Sequence, residues 1–522
     1  MYRDQDFDLQ RKLPWAEPAL TQDLALTTLF DAMALGDKFI WDVVRKAVGL
    51  SLDDVDTIIY RQDILKDCVK NAALLRDLYA IAVEAIERDR KVWRSVFSRQ
   101  SPHLILHQSV EALELFVGQL RKLKTIADEH AQTFASAGFT ALFAMLTAEL
   151  EQEYFARVEH HLRELRFRGG ALISADLGKG NKGTDYRLRK RPEKKQTWME
   201  RIFARKPPAY TYHIPERDEN GPRYLAELQD RGVNLVANAL TQSTDHILSF
   251  FTMLRTELAF YVGCVNLYEQ LAQMGAPTCF PVPVAPGERR HSYRGLYDVC
   301  LALRMKQKVV GNDEEADRRD LVIITGANQG GKSTFLRGIG LAQLMMQCGM
   351  FAPAEAFCAN ICAGVFTHYK REEDTTMQSG KFDEELSRMS AIVEHITPNA
   401  MLLFNESFAA TNEREGSEIA RQIVSALLEK RIKVFYVTHL YELAHGFYAK
   451  KTGNAIFLRA ERQADGGRTF KLIEGEPLQT SYGEDLYKRI FETDNLPHSE
   501  ESSRALSTQG RGMRPEKGVE TQ

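Results

Sequence analysis

Residues 321–337 read Leu-Val-Ile-Ile-Thr-Gly-Ala-Asn-Gln-Gly-Gly-Lys-Ser-Thr-Phe-Leu-Arg. An apolar, β-branched run stops at Thr325, and Gly326 to Ser333 follows with the G-x-x-x-x-G-K-S spacing of a nucleotide-binding P-loop. The order predicts a strand, a glycine-rich loop and a helix. Gly326, Gly330 and Gly331 let the backbone adopt positive φ and turn its N–H groups around phosphate oxygens. The following helix adds the positive end of its dipole. Lys332 is expected to reach the β- and γ-phosphates of ATP, and the Ser333 hydroxyl to bind Mg²⁺. Gly326, Ala327, Asn328, Gln329, Gly330, Gly331, Lys332, Ser333 and Thr334 are therefore the candidate nucleotide-binding residues. An idle glycine turn is the plain alternative, but the strand before it and the apolar helix after it (Phe335, Leu336, Ile339, Leu341, Leu344) argue for a nucleotide site.

Two further apolar runs belong with this one. Ala400 to Phe404 ends in Asn405-Glu406, where P-loop ATPases usually deliver a Walker B Asp to the metal shell. Asn405 can hydrogen-bond a metal-bound water but brings no negative charge, which weakens the hold on Mg²⁺. Glu406 is the candidate for orienting or deprotonating the attacking water. Lys433 to Thr438 ends at His439, a candidate γ-phosphate contact. Strands alternating with helices predict a mainly parallel α/β sheet with ligands at the C-terminal ends of its strands. Between these runs, Ser379-Gly380 precedes acidic residues and an apolar-periodic stretch (Leu386, Met389, Ile392, Val393), which reads as a capped helix start suited to a phosphate.

The chain before this region differs in kind. From Leu20 to about Leu165 it is nearly free of proline and glycine and carries repeated helical periodicity, a bundle of long helices with no evident site. The pattern breaks at Arg168-Gly-Gly. Residues 163–206 then hold fourteen Lys/Arg against five Asp/Glu, a local net charge of +9 in a chain of −3. Gly178-Lys-Gly-Asn-Lys-Gly183 reads as a mobile turn between short strands, with Trp198, Phe203, Tyr210 and Tyr212 nearby. Lys179, Lys182, Arg187 and Arg189 are the candidate nucleic-acid contacts, a solvated basic loop being the alternative. Helices resume from Pro222, and a proline-rich connector, 277–286, leads toward the glycine loop. Asn312 to Asp320 reads as an exposed loop, and residues 499–522 as a disordered tail.

At 522 residues the chain is long enough for two or more domains, and 27% charged with 44% hydrophobic residues fits a soluble globular protein. No run of eighteen apolar residues occurs and the N-terminus has no signal-like core, so no membrane is expected. Seven scattered cysteines, with no second pair to join Cys358 and Cys362, read as core thiols of a reducing cytoplasm.

Together these residues resemble the MutS family of DNA mismatch-repair ATPases, an ABC-type branch. Thr325 to Thr334 is similar to the family's T-G-P-N-M-G-G-K-S-T, and Gly349 to Glu355 to its G-x-F-V-P-A-E. Thr438-His439-Leu-Tyr-Glu442-Leu443 resembles T-H-x-x-E-L, Ser481-Tyr482-Gly483 resembles S-Y-G, and Arg61-Gln62 resembles the R-Q element of the helical core. The resemblance implies a homodimer whose levers and clamp embrace duplex or branched DNA, with two composite ATP sites. In each, Ser379 of one subunit would cap the γ-phosphate held by Lys332 of the other. It also implies possible contact with other repair proteins and a nucleoid-associated location when on DNA.

The expected fold class is α plus α/β. A helical core and first lever (1–164), a basic clamp-like insertion (165–220) and returning lever helices (221–285) precede an ABC-type P-loop ATPase domain (286–495) and the tail (496–522). The N-terminal mismatch-reading and connector domains are expected to be absent, and no Phe-x-Glu wedge occurs in the first 300 residues. The family's D-E-x-G-R-G-T-S-T segment is Asn405-Glu-Ser-Phe-Ala-Ala-Thr411 here. An ATP-gated clamp that hydrolyses ATP is the leading expectation. A non-hydrolysing clamp or scaffold on branched DNA or structured RNA, without mismatch recognition, is the alternative.

Overall fold

The computed structural model describes residues 2–94, 101–167, 170–190, 220–371, 380–451, 453–463 and 467–479. The expectations for Ser379, for Trp198, Phe203, Tyr210 and Tyr212, for Ser481-Tyr482-Gly483 and for the tail lie outside these residues.

The first half is helical: α1 (Glu17–Asp23), α2 (Leu26–Ala34), α3 (Lys38–Leu50), α4 (Val55–Lys70), α5 (Ala72–Arg94), α6 (Pro102–His130), α7 (Ala137–Glu149) and α8 (Gln152–Leu165). Side-chain caps fix several starts, such as Asp37 accepting from the Phe39 and Ile40 amides and Asp54 from Thr57. The periodic stretch through Leu165 is two helices, because the chain breaks helical geometry at Leu150 and re-enters after Glu151.

Residues beyond Pro222 form one uninterrupted helix, α9 (Asn220–Gln273), roughly 80 Å long at 1.5 Å per residue. It packs along α2, α3, α5 and α6, burying Phe251, Leu254, Leu258, Phe260 and Leu267. It contains a window apolar and long enough to cross a membrane, but 56% of that window is buried inside the protein, as in a core helix.

Between α8 and α9 stands a hairpin, β1 (Leu172–Leu177) with antiparallel β2 (Gly183–Arg189). Ile173 pairs with Leu188 on the face turned to α9, where Ile173 lies so close to Gly232 that a Cβ there would meet its Cδ1 at 2.6 Å. Ser174 pairs with Arg187 and Leu172 with Arg189 on the opposite face.

The second half holds two sheets. Strands β3 (Val282–Val284), β4 (His291–Leu296), β5 (Asn312–Glu315) and β7 (Ala356–Asn360) form a four-stranded sheet in the order β3-β7-β4-β5. Strands β6 (Leu321–Gly326), β8 (Val365–Tyr369), β9 (Met401–Asn405), β10 (Lys433–Val437), β11 (Ala455–Arg462) and β12 (Arg468–Glu474) form the main sheet in the order β12-β11-β6-β10-β9-β8. It is parallel except for β12. Helices α10 (Val299–Met305), α11 (Lys332–Gln347), α12 (Lys381–His395), α13 (Glu413–Glu429) and α14 (Tyr441–Ala449) complete this half. The central strands are buried throughout, save the last residue of β6 and of β9, which is why they read as unbroken apolar runs.

The stretch 312–320 is not the exposed loop its polar letters suggest. Asn312 and Asp320 are buried: the Asn312 side chain donates to the Phe470 carbonyl at 3.3 Å and accepts from the Leu472 amide at 2.7 Å. Asp320 ion-pairs with Arg289 and accepts from Asn454 at 3.2 Å. These two residues satisfy neighbouring backbone and charge rather than water, while Asp313, Glu315 and Arg318 between them stay exposed.

Arg61 and Gln62 join the two halves. The Arg61 guanidinium donates to the Cys348 carbonyl at 3.2 Å, and Gln62 donates to the Pro281 carbonyl at 3.1 Å. Gly349, at φ +82°, lies against the Arg61 side chain, where a Cβ would come within 2.5 Å. All seven cysteines are free thiols, five of them buried.

Candidate nucleotide site

The site forms where the main sheet ends. Its register sets Ile324, Val437 and Asn405 in one row across β6, β10 and β9. The residues just beyond that row (Thr325-Gly326, Thr438-His439 and Glu406) therefore emerge together at the C-terminal edge.

Gly326 and Gly331 take φ of +101° and +90°, and Gln329 takes +60°. Gly330, expected to share the positive φ, does not take it; the demand there is space, since a Cβ would meet the Ala460 Cβ at 2.6 Å and the Ala327 carbonyl at 2.9 Å. Gly331 caps α11, whose first residue is Lys332. Lys332 is buried, and its ammonium donates to the carbonyls of Gly326 at 2.8 Å and Ala327 at 3.0 Å. Burial pulls the Lys332 pKa below the ordinary amine value, the Glu406 carboxylate opposing and Arg468 adding to the effect.

Ser333 donates its hydroxyl to Asn405 Oδ1 at 2.8 Å. Two neutral oxygen donors, one from the first turn of α11 and one from the end of β9, thus converge beside the loop, a donor set that suits a hard cation through its water shell. Glu406 is half-buried at φ +54°, and its amide donates to the Val437 carbonyl at 2.9 Å. The loop opens on a cavity of about 530 Å³ whose wall includes Asn328 to Phe335 and Glu406.

Lys332, Ser333, Asn405 and Glu406 are thus brought together, with Asn328, Gln329 and Thr334 along the cavity wall and Ala327 buried beneath. His439 is exposed at the tip of β10 and does not line the cavity. Sequence reading missed the cavity's apolar side, formed by Leu301, Met305, Val309, Val310 and Phe470. Phe470 stands at φ +58° and is 49% exposed, with its Cβ 3.6 Å from where a Gly331 Cβ would lie. Nothing in local spacing marks it, since only the sheet order β12-β11-β6 carries it to the loop.

The candidate nucleic-acid residues form a separate group. Lys179, Lys182, Arg187 and Arg189 are all exposed on the hairpin, with Arg187 ion-paired to Asp185 and Arg189 donating to Ser174 Oγ at 2.8 Å.

Comparison with known proteins gives this geometry a lineage. Residues 53–274 match the family of the MutS2 N-terminal domain, and residues 322–498 match MutS domain V. The DNA mismatch repair protein MutS of Lactobacillus helveticus is 28% identical over 290 residues, covering 51% of this chain and 32% of the relative. MutS protein homolog 4 of Mus musculus is 30% identical over 213 residues, 40% of this chain and 22% of the relative. The DNA mismatch repair protein MutS of Thermus aquaticus is 30% identical over 228 residues, 44% and 27% of the two chains. This chain therefore spans no more than about a third of the length of these curated relatives. One domain match covers the helical half, the other covers the sheet that carries the glycine loop, and the relatives agree with both: the chain belongs to the MutS family.

Proposed function

We propose that this chain is an ATPase of ABC type that binds nucleic acid and uses ATP to switch a dimeric clamp, hydrolysing ATP to ADP and phosphate. The observation that carries the reading is the convergence of Lys332, Ser333, Asn405 and Glu406 at one sheet edge, beside a cavity of about 530 Å³. Lys332 would exchange its two carbonyl partners for phosphate oxygens, and the amides of residues 326–333 would supply further donors. Ser333 and, through water, Asn405 would hold Mg²⁺, which neutralises charge on the phosphates. Glu406 would orient the attacking water. The apolar side formed by Leu301, Met305, Val309, Val310 and Phe470 offers the base a slot.

The partition into helical core and levers, clamp-like insertion and ATPase domain extends this reading to the whole chain. The hairpin cations would contact the phosphate backbone of duplex or branched DNA. A homodimer with Ser379 of one subunit over the Lys332 site of the other would make each site composite, and ATP would close it. A cytoplasmic location fits the seven free thiols. Two of the three relatives are DNA mismatch repair proteins, which motivates repair or recombination as the setting here.

A second reading rests on the neutral Asn405: a clamp that binds ATP and scarcely hydrolyses it. Asn405→Asp separates the two. With a carboxylate beside Ser333, Mg²⁺-dependent ATP affinity should rise about tenfold, consistent with one added charge at partial screening. An active native enzyme should then change turnover only a few-fold. Activity in Asn405→Asp alone would establish the clamp reading and remove the native chain from the ATPases.

A further inference from the structure

Glu406 is followed by a segment whose conformation is imposed from outside. Glu406 and Phe408 both lie in the left-handed region, at φ +54° and +62°, although neither is glycine. Such positions persist only where the surroundings hold them. Ser407 and Phe408 are fully buried, and three side chains grip them. The Glu385 carboxylate, from the second turn of α12, accepts the Phe408 amide through Oε2 at 2.8 Å. The Tyr436 hydroxyl donates to the Ser407 carbonyl at 2.8 Å. His368, on β8, places Nδ1 2.7 Å from Ser407 Oγ and Nε2 2.9 Å from the backbone carbonyl of Glu385.

The His368 tautomer follows from its partners. A carbonyl oxygen only accepts, so Nε2 carries the proton and donates to Glu385. The buried ring stays neutral, so the one Ser407 hydroxyl proton is shared between two acceptors of His368, Nδ1 at 2.7 Å and the backbone carbonyl at 2.5 Å; the ring stacks on Phe408 with centroids 5.2 Å apart. Through its side chain and its carbonyl, Glu385 therefore meets both the Phe408 amide and the His368 ring. Arg388, one turn on in α12, donates to the Tyr369 carbonyl at 2.9 Å, adding a second tie between α12 and β8.

We propose that Glu385 and His368 are positioning residues for Glu406: they form a latch that fixes the backbone behind it and makes its placement depend on where α12 sits. The proposal rests on the ATPase reading, with Glu406 as the residue that orients water. Neither latch residue touches the nucleotide cavity. Their effect falls on turnover rather than on nucleotide affinity.

The test compares the full chain with Glu385→Gln, which keeps an acceptor oxygen, and Glu385→Met, which keeps length and volume but loses it. In Glu385→Met, kcat for ATP should fall about tenfold or more while KM stays within about twofold, the signature of a misplaced group in a correctly bound complex. Glu385→Gln should remain within about threefold of native. Hydrogen exchange over residues 404–411 supplies a readout that needs no catalysis: Glu385→Met should exchange the Phe408 amide about tenfold faster or more, and Glu385→Gln should not. If Glu385→Met does not fold, His368→Phe removes the other half of the latch at similar ring volume and should give the same separation of kcat from KM. Native kcat and native exchange in a folded latch variant would overturn the proposal. A native chain without turnover would instead remove the ATPase reading, and exchange alone would then decide whether the latch exists.

Discussion

The glycine loop of the main sheet and the hairpin between α8 and α9 both present cationic side chains, but they do so under opposite physical conditions. At the loop, Lys332 is buried with its ammonium on two carbonyls, and Ser333 at the start of α11 is hydrogen-bonded to Asn405 at the end of β9. At the hairpin, Lys179, Lys182, Arg187 and Arg189 stand in solvent, two of them held only by local side chains. Charge inside a low-dielectric wall acts at short range and demands geometry, whereas exposed charge acts over a Debye length of about 10 Å at 0.1 M salt and tolerates disorder. The first arrangement suits one small polyanion and the second a long one.

Substitutions can break this contrast from either side. The largest effect should come from Lys332→Ala, which removes a buried cation: ATP affinity should fall on the order of 100-fold or more, about 3 kcal/mol for a charge-assisted contact, by titration calorimetry. Nucleic-acid binding without nucleotide should be unchanged, and equal loss of both would merge the two sites.

Acid should act next, and only on the buried side. Burial, with the Arg388 charge adding to it, lowers the His368 pKa to about 4, below the unfolded value near 6.5. The native state resists protonation there, so this contribution is intact above pH 6.5 and is lost as pH falls toward 4, by about 2–3 kcal/mol at pH 4.5. Denaturant melts at pH 7, 5.5 and 4.5 should show that decline in the native chain and a flatter profile in His368→Phe. The hairpin variants should keep the native profile.

Neutralising Lys179, Lys182, Arg187 and Arg189 together should weaken DNA binding about tenfold at moderate salt and reduce the log–log salt slope by up to about 3.6. Basal ATP turnover should not move. An unchanged slope would take the hairpin out of the interface. The smallest effect should come from Phe470→Ala, a few-fold weaker ATP binding from a lost apolar face, with little change in affinity for inorganic triphosphate.

The same contrast explains what was legible in the sequence. Residues 321–337 announced strand, loop and helix because the constraint is local: an apolar run, glycines at positive φ, and a lysine at the helix start. Asn405-Glu406 was legible because a buried parallel strand leaves an apolar signature that points to its own end. Phe470, Glu385 and His368 were not, since each reaches the site through sheet order or helix packing that no spacing encodes. Asn312 and Asp320 were misread because burial of a polar residue depends on a partner far along the chain, Leu472 and Arg289 respectively. On the hairpin, charge was legible from composition, while the apolar face that seats Ile173 and Leu188 against α9 required the register.

The most direct test of the account is steady-state ATP hydrolysis with and without duplex DNA, for the native chain and for Glu406→Gln. Turnover that DNA alters and Glu406→Gln reduces by about a hundredfold or more is the predicted result, with ATP affinity retained in the variant. Tight ATP binding with no turnover in either protein would contradict it and leave a nucleotide-gated clamp in place of an enzyme.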